Sequence, residues 1–344
     1  MRLLDRIAQS TASFMVQQDS GVLWCLTSAC DFAPRLRSCP LRYLLSDELT
    51  RMCTALAYSE GHQLADCLDL LHVPSDRLWI EWNQAPLRDE LLRARPDCGG
   101  PSAGGEVLRK GALIDAAPDG RSGMLRTMWT TTGRPGDPLV AALETHFDFD
   151  RQLPPSRGPQ ALLDGECTSI PDGYERGLDD ILRCVRYRFD EAWLRYYQQQ
   201  CQSHQSRSLV VRLSLATVAH DLPVLLALFL LQAARGGLPQ KPCDITRLNL
   251  KRLRSARAPL LAHVEIGAPV FSDSTWPHAN SDDGLRLAPR RHHVRGHLVR
   301  RQNIVYWRSP HWRGHVRLGH IAHRTITLKS GAEFARGASH AGGG

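Results

Sequence analysis

Apolar positions in this chain change period several times, and each change marks an element. Between Leu41 and Leu71 they recur at three- and four-residue spacing (Leu49, Met52, Cys53, Leu56). That spacing predicts a helix capped by Ser46 and Asp47, with Glu48 in its first turn and a stop at Pro74. Residues 76–83, DRLWIEWN, alternate instead, setting Leu78, Ile80 and Trp82 against Trp79 and Glu81. Alternation of this kind suits a strand with one wetter face, its tryptophans belonging to the core or sheet face rather than to a ligand platform. EVLRKGALIDA and GMLRTMWTT flank Pro118-Asp119-Gly120, and two such runs joined through a P-D-G turn predict a hairpin. A third strand is expected over Leu139–Phe149, although Val140, Leu143 and His146 also fit a short helix.

Beyond these strands the pattern becomes helical. Residues 153–173 carry four prolines and read as a linker, as the Gly/Pro/Ser-rich stretch 96–105 reads as a loop. A long helix is predicted over Leu178–Gln200, with Ile181, Leu182, Val185, Phe189, Ala192, Leu194 and Tyr196 on one side and Arg183, Arg186, Arg188 and Arg195 solvated elsewhere. A second helix should begin at Asp221 as its cap, with Pro223 in the permitted first turn, and end at Gly236-Gly237. Being apolar nearly all round, it reads as the buried central helix. Residues 245–266 then predict a basic helix, a break at Pro259 and a short strand. The expected class is α+β: a helix-plus-hairpin part over residues 1–152, a helical middle over 153–283, a small β-rich basic module over 284–332, and a disordered Gly/Ala-rich tail over 333–344.

Composition changes this picture in one respect. The net charge is +8, yet residues 284–332 alone carry +11 and no carboxylate, which leaves the rest of the chain at −3. The basicity therefore belongs to one segment. A hydrophobic content of 42% over 344 residues is ample for a core, and ten cysteines without a C-x-x-C read as reduced core thiols. The amino terminus has no secretory pattern, and the apolar run Leu222–Leu231 is shorter than the roughly 20 residues a bilayer span needs. A cytoplasmic protein without membrane contact is expected.

The basic segment centres on Arg290–Arg324, with nine arginines, seven histidines, two tryptophans and a tyrosine. Its VYW (305–307) and RTITL (324–328) have strand character, with turns at Ser309-Pro310 and Gly314. Arginine offers a planar fork to phosphate or carboxylate and stacks on bases, and aromatic residues interleaved with it on short strands suit single-stranded RNA. The candidate binding set is Arg291, His293, Arg295, His297, Arg300, Arg301, Tyr306, Trp307, Arg308, His311, Trp312 and Arg313. RNA, a ribonucleoprotein, or a nascent or acidic protein is the expected partner.

An alternative uses the histidines. His292-His293, Asn303 and His311 follow the order of a metal-dependent H-N-H nuclease site. Against it, the module holds no Asp or Glu, and neighbouring arginines oppose a hard cation. His293/His297 and His311/His315 are each four apart, a spacing that gathers ligands only on a helix. The pair Asp148 and Asp150 reads as a solvated strand end rather than a metal site. No phosphate loop or G-x-S-x-G is present, since the Gly-rich 99–105 stretch lacks the Lys-Ser/Thr ending. No catalytic residue, cofactor or metal is expected.

His292-His293-Val294-Arg295-Gly296-His297, Arg300-Arg301, Tyr306-Trp307 and Pro310-His311-Trp312-Arg313-Gly314 resemble the basic aromatic module that closes a group of phage and mobile-element proteins. That group includes the type V-A anti-CRISPR family that suppresses production of the CRISPR effector nuclease. The apolar helix at 222–234, LNLKRLRSARAPLL, and DRLWIEWN ahead of a hairpin extend the likeness in order along most of the chain, apart from residues 150–210. Leu298 departs from it, standing where the family has Trp after R-G-H. The resemblance implies a non-enzymatic regulator of phage origin, with an anti-defence role exercised on a nascent polypeptide and its message.

Overall fold

The computed structural model describes residues 2–10, 18–19, 22–23, 29–59, 64–94, 106–133, 138–150, 159–167, 184–201, 203–234, 237–269, 290–294, 297–302, 304–308, 311–313 and 315–320. They fall into two compact units. The first comprises Met1–Val270 with Leu298–Trp307, and the second Phe271–His297 with Arg308–Gly344.

The first unit begins with α1 (Leu3–Ala8), a two-residue ribbon of β1 (Gln18–Asp19) and β2 (Val22–Leu23), and α2 (Ala33–Ser38). Then come β3 (Leu41–Leu45), α3 (Asp47–Ser59), β4 (Arg77–Asn83), α4 (Ala85–Ala94), β5 (Val107–Ala116), β6 (Ser122–Thr131) and β7 (Leu139–Asp148). After these follow β8 (Glu166–Cys167), β9 (Val185–Phe189), α5 (Glu191–Gln200), α6 (His204–Val218), α7 (Asp221–Ala233), β10 (Gln240–Pro242), α8 (Thr246–Arg254) and β11 (Val264–Ile266). Among the described residues one nine-stranded sheet runs in the order β10-β11-β3-β4-β5-β6-β7-β9-β8. It is antiparallel except where β3 lies parallel to both β4 and β11. The protein is α+β.

Several elements stand where the sequence places them. The P-D-G hairpin is β5–β6, with Ala112 opposite Thr127 and Ile114 opposite Leu125. Gly120 in its turn has φ +69°, and a Cβ there would lie 2.4 Å from the Val73 carbonyl oxygen, so both backbone and space require glycine. Leu139–Asp148 is a strand, Ser46 Oγ accepts from Leu49 N–H to cap α3 (3.2 Å), and α7 is buried along nearly its whole length.

Other expectations need correction. Residues 41–71 are not one helix: Leu41–Leu45 form a strand between β4 and β11, and the helical period belongs to α3 alone. The helix expected over 178–200 divides likewise. In VRYRF the alternation wins, with Val185, Tyr187 and Phe189 buried, and the Asp190 carboxylate then starts α5 by accepting from Ala192 N–H (3.0 Å). α6, capped by Ser203, is an addition that the sequence pattern did not announce. Together His204–Ala233 is apolar and long enough to cross a bilayer, and most of it is buried inside the protein, as a core helix would be.

Both faces of the central sheet are covered, and this explains the remaining differences. Trp82 sits opposite Lys110, so Glu81 points to the other face. On Lys110's face α6 and α7 close over the sheet: Lys110 Nζ donates to the Thr217 carbonyl and to Asp221 Oδ1, each at 2.5 Å, and Thr127 Oγ1 donates to Asp221 Oδ2 (2.7 Å). Asp221 is therefore a fully buried ion-pair partner rather than the helix cap, a position held by His220. On Glu81's face α1 docks, its Leu3 and Leu4 N–H groups donating to the Glu81 carboxylate (3.0 and 2.9 Å), which Arg109 also grips. Trp79 and Glu81, expected on a wetter face, are both 0% exposed.

The expected boundary at residue 152 does not divide the fold. Residues 153–283 contribute α5 to α8, and they also supply β8 to β11 to the sheet that the N-terminal part begins. The expected module over 284–332 is divided as well, because Leu298–Trp307 belongs to the first unit. The 96–105 loop, most of the 153–173 linker, the RTITL segment and the 333–344 tail lie outside the described residues.

Candidate nucleic-acid interface

In the basic segment the described backbone is strand except for the turn at Gln302: β12 (Arg290–Val294), β13 (His297–Arg301), β14 (Ile304–Arg308), β15 (His311–Arg313) and β16 (His315–His320). Short β-branched and aromatic runs broken by Gly and Pro favour this outcome. In the second unit β12 is the centre of a three-stranded sheet in the order β15-β12-β16. It runs antiparallel to β15, pairing His292 with Arg313, His293 with Trp312 and Val294 with His311. It runs parallel to β16, pairing Arg290 with His315 and, after an irregularity, Arg291 with His320.

That pairing gathers a distinctive composition. The fourteen residues of the three strands include four arginines, five histidines and Trp312, with no carboxylate. Five members of the candidate set, Arg291, His293, His311, Trp312 and Arg313, are drawn into this one sheet. Such a cluster repels itself unless an anion or solvent takes up the charge.

Other members of the set serve a different purpose. β13 and β14 pair with each other, and their Leu298 and Val305 are buried in the core of the first unit. Trp307 packs against that core and is half-buried, and its indole N–H has no acceptor among the described residues, so apolar contact holds the ring. Arg300 is committed to the hairpin's anchorage: its guanidinium donates to both carboxylate oxygens of Asp69 (2.8 and 2.7 Å) and to the Asp66 carbonyl. The hydrogen bonds it donates to Asp69 raise the Arg300 pKa further above its ordinary range. Arg300 and Trp307, expected to face a ligand, are thus both engaged within the first unit. Both were drawn into the set because charge and aromaticity alone do not reveal an acidic loop, Asp66–Asp69, waiting elsewhere in the fold.

Arg301 and Arg308 are exposed, and Tyr306 is half-buried. His297 begins β13, while Arg295 and Asn303 lie outside the described residues. For the H-N-H alternative, His292 and His293 stand on β12 and His311 on β15. His293 and His297 occupy different strands, as do His311 and His315, so four-residue spacing gathers no ligands there. At the other acidic candidate, Asp150 pairs with Arg121 Nε (3.1 and 3.2 Å) at the end of β7.

Comparison with protein-family models, characterised proteins and solved structures returns no match to this chain.

Proposed function

We propose that this protein is a non-enzymatic regulator that binds RNA through the β15-β12-β16 sheet. What supports this reading is the register that gathers Arg291, His293, His311, Trp312 and Arg313 in three strands free of carboxylates. Guanidinium groups on such a surface neutralise phosphates, and an aromatic ring among them stacks on an unpaired base. The resemblance of the same residues to the closing module of phage anti-defence proteins extends the reading. It suggests a protein of phage origin, acting in the cytoplasm on a ribonucleoprotein or translating complex.

The test is a salt series with single-stranded RNA and the full chain. Affinity should fall linearly on a log–log plot, with a slope of about −0.7 per phosphate engaged. Arg291→Ala and Arg313→Ala should each flatten the slope by roughly one contact. Trp312→Ala should weaken binding by about 1–3 kcal/mol with little change of slope, because stacking releases no counterion. Absence of RNA binding at low salt would overturn the reading and turn attention to an acidic protein partner.

A further inference from the structure

A cluster of metal-ligating side chains lies in the first unit, upstream of the basic segment. β10 and β11 pair antiparallel with Pro242 opposite Val264, and Cys243 N–H donates to the His263 carbonyl (3.0 Å), extending the ladder by one residue. Cys243 and His263 are therefore a cross-strand pair. Glu265, two residues further along, returns to the same face. Ligand atoms of Cys243, His263 and Glu265 lie within 4.8 Å of one another, and Cys243 Sγ is 3.5 Å from Glu265 Oε1.

We propose that Cys243, His263 and Glu265 form a zinc site at this edge of the main sheet. Thiolate, imidazole and carboxylate are the three donor types zinc takes, at roughly 2.0–2.3 Å, so that neighbouring ligand atoms stand about 3.5 Å apart. The Cys–Glu separation already has that value.

A second observation comes from the histidine itself. His263 is 4% exposed, and among the described residues its Nε2 has no hydrogen-bond partner. Its Nδ1 lies 3.0 Å from the Leu261 carbonyl, which an N–H there satisfies, and 3.3 Å from an Arg2 guanidinium nitrogen, which a lone pair there satisfies. In either tautomer Nε2 is a buried polar atom without a partner among the described residues, which costs free energy. A ring N–H fixed on a backbone carbonyl is also the arrangement that orients metal-bound histidines.

Arg2 is the group a metal must contend with, its guanidinium standing 3.3 Å from His263 Nδ1 and 3.8 Å from Glu265 Oε1. Two ligand charges, thiolate and carboxylate, offset those of Zn²⁺, so binding releases Arg2 to solvent. Three protein ligands leave a fourth position for water or a donor from another molecule.

The experiment uses the full chain, reduced and stripped of metal, titrated with Co²⁺ and then with Zn²⁺ as competitor. Thiolate-to-cobalt charge-transfer absorption should appear and be displaced by one Zn²⁺ per chain. Cys243→Ser should abolish that absorption. Glu265→Gln should weaken zinc by at least about tenfold, the least that even outer-shell changes cost. Arg2→Gln should tighten it. Cys243 and Glu265 are not core residues, so circular dichroism of these variants should match the parent. No thiolate absorption, or absorption unchanged in Cys243→Ser, would overturn the site and assign any bound metal to other histidines or cysteines.

Discussion

Arg300 and Asp69, 231 residues apart in the chain, meet through a two-pronged contact in which Nη1 and Nη2 each donate to a separate carboxylate oxygen (2.8 and 2.7 Å). The pair ties the β13–β14 hairpin to the body of the first unit. An arginine so engaged has little left to offer a phosphate.

Arg300→Ala should therefore leave the salt dependence of RNA binding nearly unchanged, in contrast to Arg291→Ala or Arg313→Ala. Its effect should appear in hydrogen exchange, with faster exchange of amides in 298–307, and Asp69→Asn should reproduce it. A slope flattened by Arg300→Ala as much as by Arg313→Ala would return Arg300 to the ligand surface.

Trp307 packs on the core, so its truncation acts on stability first. Trp307→Ala should cost roughly 2–4 kcal/mol in urea unfolding, a little under the range for a fully buried aromatic because the ring is half-buried. Unchanged stability with weakened RNA binding would move the ring from packing to stacking.

The Lys110–Asp221 pair joins β5 to the start of α7 where the sheet and buried helix meet. Burial pushes the Asp221 pKa up, and the nearby Lys110 ammonium opposes that rise. Lys110→Met leaves a buried carboxylate without its cation and should lower stability by about 3–5 kcal/mol. Adding Asp221→Leu should recover most of the loss, since an apolar pair removes both desolvation penalties. A double variant as unstable as the single one would show that the charges are needed together.

Glu144 accepts a hydrogen bond from His146 (3.1 Å), and this holds its pKa below the ordinary 4.5; burial opposes the shift and Arg126 reinforces it. The folded value being the lower one, the unfolded chain binds the proton more readily. The stabilisation is thus complete above pH 4.5 and is lost as pH falls through the depressed folded value. Unfolding midpoints measured across that window should decline in the parent and decline less in Glu144→Gln.

Gly111 lets Trp79 lie against the sheet: a Cβ there would stand 2.3 Å from a carbon of the indole ring. Gly111→Ala should destabilise by about 1–3 kcal/mol as the ring or strand shifts, read from thermal unfolding. A gain in stability would mean that the ring moves freely.

Much of the fold is legible along the chain. Alternation in DRLWIEWN, the P-D-G turn, the apolar helix near 222–234 and the strands of the basic segment rest on local chemistry, in which side-chain period and turn residues decide the backbone. Where two periods overlap, as in VRYRF followed by EAWLRYYQQQ, the pattern alone favours one long helix. Pairing with β7 settles it as a strand, because the sheet edge offers Val185, Tyr187 and Phe189 a buried face.

The basic segment was legible as a run of charge without carboxylates, which needs no fold to be recognised. Its division was not. That Arg300 answers Asp69, that Trp307 rests on the core, and that Arg291, His293, Trp312 and Arg313 gather in one small sheet depends on strand pairing and distant contacts. The same holds for Lys110 with Asp221, Glu81 with the first turn of α1, and Cys243 with His263 and Glu265. Sequence fixes what each side chain can do, while long-range packing chooses its partner. Only there are buried charges forced to find one another, because the low-dielectric interior penalises any left alone.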